Sequence, residues 1–278
     1  MKAMILGATG LLGKALIREW SGDDVLGLGS KDVDIRDAGK VRESVEKARP
    51  DWIVLAAAYT DVDGCESHPD LAFAVNRDGP LNVAQAAMRV GAKLLFLSSD
   101  YVFDGKNTLP YETLDGRNPQ SVYGRSKAEA EVGLLEVLPE CCIARTSWLF
   151  GTGGKCFPDT ILKLAASRPT LDVVEDQRGS PTYSVDLAQA IIGLCRKGAS
   201  GIVHVTNSGD CSWYEFAREI VKGAGLATEV RPVSSQQMAR PAPRPGYSVL
   251  SPKSLQRFGI TMPEWQDALQ RYLQERKS

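Results

Sequence analysis

Three glycines at three-residue spacing separate the first predicted strand from the first predicted helix. The strand covers residues 3–6, Gly7-Ala8-Thr9-Gly10-Leu11-Leu12-Gly13 follows, and a helical pattern covers 14–20. Between a strand and a helix, such glycines permit a tight turn, close approach of the backbone to a pyrophosphate, and helix–strand packing. The helix N-terminus adds amide donors and a positive dipole end. A plain tight turn is the alternative, but the position favours a dinucleotide site at Gly7, Gly10 and Gly13.

Buried apolar strands alternate with helical patterns along the first half of the chain. Strands are predicted at 25–28, 52–58, 93–99 and 141–147, and helices at 39–48, 71–90 and 120–138. Strands buried on both faces and separated by helices predict an α/β fold with a doubly wound parallel, Rossmann-like sheet. The small residues after the third strand would let a flat ligand lie at the carboxyl edge of the sheet.

The second half of the chain has a looser pattern. Helices are predicted at 157–167, 185–196, 213–222 and 264–276, with a strand at 201–206. We therefore predict a dinucleotide-binding domain over residues 1–150 and a smaller C-terminal substrate-binding lobe, mainly residues 151–278. Residues 180–207 are expected to return to the first domain.

Composition excludes several classes of function. A formal net charge of -1 over 278 residues gives no basic field for nucleic acid or anionic membranes. The six cysteines lack paired metal-ligand spacing, which favours buried thiols in a reducing compartment and no metal site. No basic segment precedes the first strand and no apolar run reaches membrane-spanning length, so a cytoplasmic protein is expected. A homodimer and a Mg²⁺ requirement both stay open.

The end of the second strand indicates the type of cofactor. An Asp or Glu there often binds a free ribose 2′-hydroxyl. This chain instead has Ser30 and Lys31, which favour a 2′-phosphate and hence NADPH, with NADH possible. Alternatively, Lys31 is only a solvated loop charge. Asp34 and Ile35 are expected at the adenine edge, because a carboxylate can accept from the exocyclic amine.

A Tyr-x-x-x-Lys pair lies in the helix predicted over 120–138. Tyr123 and Lys127 are four residues apart and therefore share one helix face. A phenol has an ordinary pKa of about 10, and a nearby ammonium lowers it. The pair is a tunable proton donor of the kind that carbonyl reduction requires. Taken alone, the spacing also fits a solvated helix surface.

Polar side chains elsewhere are candidates to contact a substrate. Ser99 ends the fourth strand upstream of Tyr123 and can hydrogen-bond a carbonyl oxygen, with Asp100 beside it; alternatively it only caps the strand. Residues 104–119 are predicted to form a loop long enough to be part of a lid. The segment 240–245 carries arginines, including Arg244, that can clamp a phosphate or carboxylate. A proline-stiffened surface loop is the equally open alternative.

Together these motifs resemble the extended short-chain dehydrogenase/reductases and, within them, the dTDP-4-dehydrorhamnose reductase family. They occur in the family's order from residue 7 to residue 245. The most selective are Arg145-Thr146-Ser147-Trp148 and Asp176-Gln177-x-Gly179-x-Pro181-Thr182. The others are the glycine motif, Ala56-Ala57-Ala58-Tyr59-Thr60-x-Val62-Asp63, Ser98-Ser99-Asp100-Tyr101-Val102-Phe103, Tyr123-Gly124-x-x-Lys127 and Arg244-Pro245.

The resemblance implies an NADPH- or NADH-dependent oxidoreductase that reduces the 4-keto group of dTDP-4-dehydro-L-rhamnose to give dTDP-L-rhamnose. Tyr123 would donate the proton, and Lys127 would hold the nicotinamide ribose and lower the tyrosine pKa. Ser99 stands where the family usually has threonine. Asp100 and Trp148 would contact the sugar nucleotide. The residues implied to line the cofactor site are Gly10, Leu11, Leu12, Asp34, Ile35, Ala58, Tyr59, Thr60 and Leu97.

Two positions depart from the family pattern, and two other functions stay open. Cys156 and Tyr247 stand where the family often has asparagine, both in the predicted substrate lobe. A related regulatory subunit binds methionine adenosyltransferase and keeps a dinucleotide site, so a non-catalytic binding protein is one alternative. A sugar-nucleotide epimerase with tightly bound NAD, or another reductase of such sugars, is the second.

Overall fold

The computed structural model describes residues 1–276, and a six-stranded parallel sheet forms its centre. The sheet strands are β1 (Lys2–Leu6), β2 (Asp24–Leu28), β3 (Trp52–Leu55), β4 (Lys93–Ser99), β5 (Cys142–Thr146) and β10 (Gly201–His204). Their order is β10-β5-β4-β3-β1-β2, and every neighbouring pair is parallel. This arrangement confirms the predicted doubly wound α/β fold. The shorter strands are β6 (Leu149–Phe150), β7 (Thr170–Val174), β8 (Arg178–Gly179), β9 (Thr182–Tyr183), β11 (Cys211–Ser212) and β12 (Glu229–Val233).

Helices cover both faces of the sheet because its strands are apolar on both sides. On β1, Ala3 and Ile5 belong to one apolar cluster, and Met4 and Leu6 to the other. The helices are α1 (Leu11–Glu19), α2 (Ala38–Ala48), α3 (Val62–Ser67), α4 (Pro69–Phe73), α5 (Gly79–Val90), α6 (Val122–Val137), α7 (Phe157–Ala165), α8 (Ser184–Arg196), α9 (Trp213–Gly223), α10 (Lys253–Gln256) and α11 (Trp265–Glu275). Of these, α1 and α8 cover the first face of the sheet, and α2, α5 and α6 cover the second.

The second lobe has its own aromatic core. Helices α7, α9 and α11 contribute to a cluster that includes Phe150, Phe216, Trp265 and Tyr272. The parallel pair β7–β12 lies beside α9. The intervening α8 and β10 do not belong to this lobe, because α8 packs on α1 and β10 is the edge strand next to β5.

Several elements differ in extent from the sequence prediction. Helix α1 begins at Leu11, inside the glycine motif, rather than at 14, and β3 ends at Leu55 rather than 58. Two short helices, α3 and α4, precede a π-helical turn at Ala74–Asp78, so the predicted helix over 71–90 is not uniform. Pro80 falls in the first turn of α5, directly after this π-helical turn. Strands β7 and β12 were not predicted.

The loop predicted over 104–119 is attached to the chain near residue 250. The backbone amide of Tyr111 donates to Val249 O at 2.8 Å, and Ser251 N donates to Tyr111 O at 2.9 Å. Gly105 has φ 74°, and a Cβ there would lie 2.5 Å from Pro245 Cα. The loop is therefore packed against the second lobe. Among residues 1–276, no helix has the length and apolar character needed to cross a membrane.

Candidate active site

The glycine motif packs closely against neighbouring backbone, and no side chain caps the first turn of α1. Gly7 has φ 94°, and a Cβ there would lie 2.5 Å from Ala57 N. A Cβ on Gly13 would lie 2.1 Å from Gly7 O, so only glycine permits helix α1 to approach the loop. Gly10 is the N-cap of α1, with no side-chain cap and no acidic residue in the first turn. Free amides and a positive dipole end suit a diphosphate, so the residues present fit a dinucleotide.

A cleft of about 380 Å³ lies along the carboxyl edge of the sheet beside this motif. The predicted cofactor residues that line it are Gly7, Gly10, Ser30, Asp34, Ile35, Ala58 and Tyr59. The predicted residues that do not line this cleft are Leu11, Leu12, Gly13, Lys31, Thr60, Leu97, Tyr123 and Lys127. Residues that the sequence analysis did not single out also line it: Thr9, Val33, Arg36, Leu71 and Val75.

Arg36 is the cationic side chain of this cleft, and Lys31 is exposed outside its lining. Arg36 donates to both carboxylate oxygens of Asp34, with its Nη2 2.6 Å from Oδ2 and its Nε 3.0 Å from each. These hydrogen bonds lower the pKa of Asp34 to about 2. The carboxylate therefore stays ionised and retains its capacity to accept from an adenine amine. The assignment of Lys31 to a 2′-phosphate stays a prediction.

A buried asparagine fixes the loop that follows β3. Asn76, in the π-helical turn, accepts from Tyr59 N at 2.8 Å and donates to Tyr59 O at 3.0 Å. Its amide also donates to Ser126 Oγ on α6 at 3.1 Å. One side chain thus ties the cofactor-cleft loop to the helix that carries Tyr123. The sequence pattern placed Asn76 in a helix but gave no signal for this role.

Helix α6 begins where two side chains accept from its first turn. Ser121 Oγ accepts from Gly124 N at 3.1 Å, and Glu66 of α3 accepts from Val122 N at 2.7 Å. Gly124 lets the helix approach the Tyr101 backbone, because a Cβ there would lie 2.3 Å from Tyr101 O. Tyr123 lies between Val122 and Gly124 in the chain, so the contacts of these two neighbours fix its position.

Lys127 is buried against β4. Its Nζ donates to Leu97 O at 2.5 Å and lies 4.1 Å from the centre of the Phe96 ring. Burial lowers the lysine pKa to about 7, and the negative charge of Glu131 opposes this shift. Leu97, expected to line the cofactor site, is here the acceptor for the lysine ammonium.

The Tyr123 phenol lies beside Ser99 with its ring against Tyr101. The two tyrosine rings meet edge to face at 5.5 Å. Burial raises the pKa of Tyr123 above its ordinary value, and the Ser99 hydroxyl opposes this in part. The resemblance implied that Lys127 lowers this pKa; here burial outweighs other influences and the ammonium is bound to the Leu97 carbonyl. The phenol therefore keeps its proton at neutral pH, as a proton donor must.

Ser99 and Asp100 form a buried polar pair at the end of β4. Ser99 Oγ donates to Asp100 Oδ1 at 2.8 Å and accepts from Tyr101 N at 3.2 Å, so it also caps the turn that follows. Burial raises the pKa of Asp100 to about 6, while the hydroxyls of Ser248 and Ser99 oppose the shift. Among residues 1–276, Asp100 Oδ2 is buried without a hydrogen bond of good geometry, and the Ser248 hydroxyl is close enough to lower the pKa of this carboxyl.

Arg244 is held by an acid from the first lobe. Its Nη2 lies 3.0 Å from Asp63 Oδ2, and Arg240 Nη1 lies 3.5 Å from the same oxygen. The other Asp63 oxygen accepts from Ala242 N at 3.1 Å. The segment 240–245 is therefore tied to α3 rather than being a free surface loop. Asp63 is the last residue of the family motif that begins at Ala56, but the sequence gave no signal for its pairing with Arg244.

Trp148 is clamped between an aromatic ring and a glycine. Its indole stacks on Trp213 with ring centres 3.5 Å apart and planes at 7°. A Cβ on Gly179 would lie 2.6 Å from Trp148 Cε2. The residue also has φ 45°, a backbone conformation that costs a non-glycine residue about 1–3 kcal/mol. Such strain persists where the surroundings fix a functional side chain.

The two departures from the family pattern lie in different environments. Cys156 is buried at the start of α7, and its Sγ contacts Gly151 O at 3.6 Å and Asp159 Oδ2 at 3.3 Å. It packs inside the second lobe, so this substitution does not alter the cofactor cleft. Tyr247 is bound through its backbone amide to Gly105 O at 3.0 Å, at the junction with the 104–119 loop.

The parallel sheet, glycine loop and Tyr-x-x-x-Lys helix beside Ser99 define a short-chain dehydrogenase/reductase type of oxidoreductase. The chain belongs to the RmlD substrate binding domain family, which matches residues 1–278. It is 43% identical to the spore coat polysaccharide biosynthesis protein SpsK of Bacillus subtilis, over 100% of this chain and 98% of that protein. It is 42% identical to a dTDP-4-dehydrorhamnose reductase of Mycobacterium tuberculosis, over 96% of this chain and 91% of that enzyme.

A solved structure supports the same family assignment. The dTDP-4-dehydrorhamnose reductase of Bacillus anthracis, determined in complex with NADP, matches with a TM-score of 0.96. That enzyme is 39% identical in sequence, and the match covers 99% of both chains. The resemblance inferred from the motifs is therefore confirmed at the level of the family.

Proposed function

We propose that this protein reduces the 4-keto group of dTDP-4-dehydro-L-rhamnose, with NADPH as the reductant, to give dTDP-L-rhamnose. The observation that carries the proposal is the buried Tyr123 phenol beside Ser99, with Lys127 one helical turn further along α6. This group lies at the carboxyl end of the sheet that carries the glycine cleft. Family membership and the reductases among the relatives support the same reaction.

The cofactor site is built from the first βαβ unit. NADPH supplies a hydride to the sugar C4. The bare N-terminus of α1, reached past Gly7 and Gly10, binds the diphosphate, and Leu11, Leu12 and Gly13 provide the first-turn amides. Ser30 and Lys31 are proposed for the 2′-phosphate, with NADH as the weaker alternative. Lys127 holds the nicotinamide ribose, and Ala58, Tyr59, Thr60 and Leu97 border the same site.

The chain's own residues manage the charge that develops on the C4 oxygen. Tyr123 donates its proton to that oxygen, and its burial keeps the proton available at neutral pH. Ser99 has one hydroxyl proton, which it donates to Asp100 in the structure. During the reaction it turns this proton toward the substrate oxygen and stabilises the developing oxyanion. Lys127 then stabilises the tyrosinate until the phenol is reprotonated.

The second lobe and the loop ends would position the sugar nucleotide. The rigid Trp148 indole offers an apolar face to the sugar nucleotide and can donate from its N–H. Asp100, whose Oδ2 is buried beside the Ser248 hydroxyl, is proposed to accept from a sugar hydroxyl once the bound substrate reaches it. Arg244 is proposed for the diphosphate, because a guanidinium binds such oxygens in a bidentate manner. Binding in this way requires Arg244 to exchange part of its contact with Asp63.

An NADPH oxidation assay with a panel of dTDP-4-keto-6-deoxy sugars tests the proposal. We expect turnover with dTDP-4-dehydro-L-rhamnose, and dTDP-L-rhamnose as the product. Binding of NADPH without turnover of any keto sugar would instead favour the regulatory-subunit alternative. NAD released from the purified protein, together with interconversion of sugar epimers, would favour the epimerase. Light scattering of the purified protein tests whether it forms a homodimer.

A further inference from the structure

A cluster of charged side chains lies behind the proposed catalytic helix, between β4, β5 and the 104–119 loop. We infer that Glu131 is a positioning residue whose clamped carboxylate keeps the Lys127 ammonium charged beside Tyr123. The inference rests on the proposed reductase function, because it assigns a reason for the lysine to stay charged. No part of the reaction described above requires Glu131 to contact substrate or cofactor.

The geometry places Glu131 and Lys127 on one face of α6. They are four residues apart, and their exposures are 0% and 2%. Adjacent residues of β4 bind the two side chains: Leu97 O accepts from Lys127 at 2.5 Å, and Ser98 Oγ donates to Glu131 Oε1 at 2.5 Å. The same strand that ends at Ser99 therefore fixes the lysine and its carboxylate neighbour together.

Two arginines fix the carboxylate from the other side. Arg145 of β5, with 1% exposure, donates through Nε to Glu131 Oε1 at 2.8 Å and through Nη2 to Oε2 at 2.6 Å. Arg117 of the 104–119 loop donates to Oε2 at 3.2 Å. His204 of β10 faces Arg145 at 3.4 Å, and burial together with that cation lowers its pKa to about 3, so it adds no charge. The cluster thus has one carboxylate for two arginines and a lysine.

This excess of positive charge makes Glu131 important for Lys127. The ammonium is desolvated between the Phe96 ring and Leu97 O, and desolvation favours its neutral form. Glu131 is the charged group that opposes this effect. Without it, the guanidinium of Arg145 would remain, uncompensated, behind the lysine. A buried ion pair is often no more stabilising than apolar residues of similar size, so stability alone does not account for this cluster.

The test measures the ionisation of Lys127 itself. The 15Nζ and 13Cε chemical shifts of labelled lysines are followed against pH, with the Lys127 signal assigned from a Lys127→Met variant. Glu131→Gln keeps the side-chain shape and removes the charge, so the titration midpoint should fall by about one pH unit or more. Arg117→Met removes a cation from the carboxylate, so the midpoint should rise. As the pH is raised, NADPH affinity should begin to fall at a lower pH than in the wild type for Glu131→Gln, and at a higher pH for Arg117→Met.

Glu129→Gln is the matched control, because Glu129 lies on the same helix and binds Arg77 at the surface. In this variant, the titration midpoint of Lys127 should equal that of the wild type. Opposite shifts in the Glu131 and Arg117 variants are a result that general damage to the fold would not produce. An unchanged midpoint in Glu131→Gln would overturn the inference. If that variant does not fold, an unchanged or lowered midpoint in Arg117→Met would overturn it. Absence of keto-sugar turnover in the wild type would refute the reductase function and leave these titrations interpretable.

Discussion

Replacing Tyr123 with phenylalanine isolates the proposed proton transfer from the packing of the ring. The ring contacts with Tyr101 remain, since the 5.5 Å edge-to-face pair does not involve the hydroxyl. Ser99 also keeps its bond to Asp100 at 2.8 Å, so the substitution does not leave the Ser99 hydroxyl without a partner. Loss of one neutral hydrogen bond costs about 1 kcal/mol, so the variant should fold and bind NADPH.

Turnover should respond far more strongly than stability. Removing a general acid costs about 10²–10⁴-fold in rate. Since each tenfold step is about 1.4 kcal/mol, the barrier should rise by about 3–5 kcal/mol. Burial raises the pKa of the wild-type phenol, so that proton is present throughout the neutral range and its loss is fully expressed there. Ser99→Ala should be milder, because it removes a stabilising donor and leaves the acid in place.

Single-turnover oxidation of NADPH by the keto sugar measures this step directly. NADPH affinity, determined by fluorescence titration, provides the control for the integrity of the site. A Phe variant that turns over the keto sugar at near the wild-type rate would show that Tyr123 is not the acid. A variant that loses NADPH binding as well would show that the ring position was disturbed.

Three further predictions concern cofactor, substrate and pH. Lys31→Ala should raise the Michaelis constant for NADPH more than that for NADH; equal changes would remove the 2′-phosphate role. Trp148→Ala should raise the Michaelis constant for the sugar nucleotide with NADPH affinity nearly unchanged, and Trp213→Ala should act in the same direction because it removes the stacking partner at 3.5 Å. Burial raises the pKa of Asp100 to about 6, so folding favours its protonated form. The resulting contribution to the free energy of unfolding is lost as the pH rises from about 4 to 6. Asp100→Asn should therefore be more stable than the wild type in urea unfolding at pH 7, by about 3 kcal/mol, with little difference at pH 4; equal stability at both would contradict the burial argument.

The parts of the fold that the sequence predicted are those with a strong local pattern. β4 was predicted with its observed bounds because an apolar run is closed by polar residues at both ends. β7 and β12 were missed because they form a separate pair whose side chains are partly exposed, so no buried run marks them. The third strand was extended too far because the small residues after Leu55 continue its apolar character into a loop.

The placement of the candidate site residues was predictable where they belong to short motifs. Tyr123, Lys127 and Ser99 follow from spacing and strand position, and the structure brings them to one edge of the sheet. Contacts between distant segments were not predictable in this way. Asp63 with Arg244, and Trp213 with Trp148, each join segments whose approach depends on how the second lobe folds back. A single sequence contains no local signal for such pairs.

The packing of α8 on α1 and the pairing of β10 with β5 have a consequence for folding. Leu187 and Ile191 of α8 share a core with Leu16 of α1, and β10 supplies the sixth strand beside β5. A fragment that ends near residue 150 would expose that face of α1 and leave β5 as an open edge. We therefore expect such a fragment to aggregate rather than fold. During synthesis, the cofactor half should reach its native state only after β10 has left the ribosome.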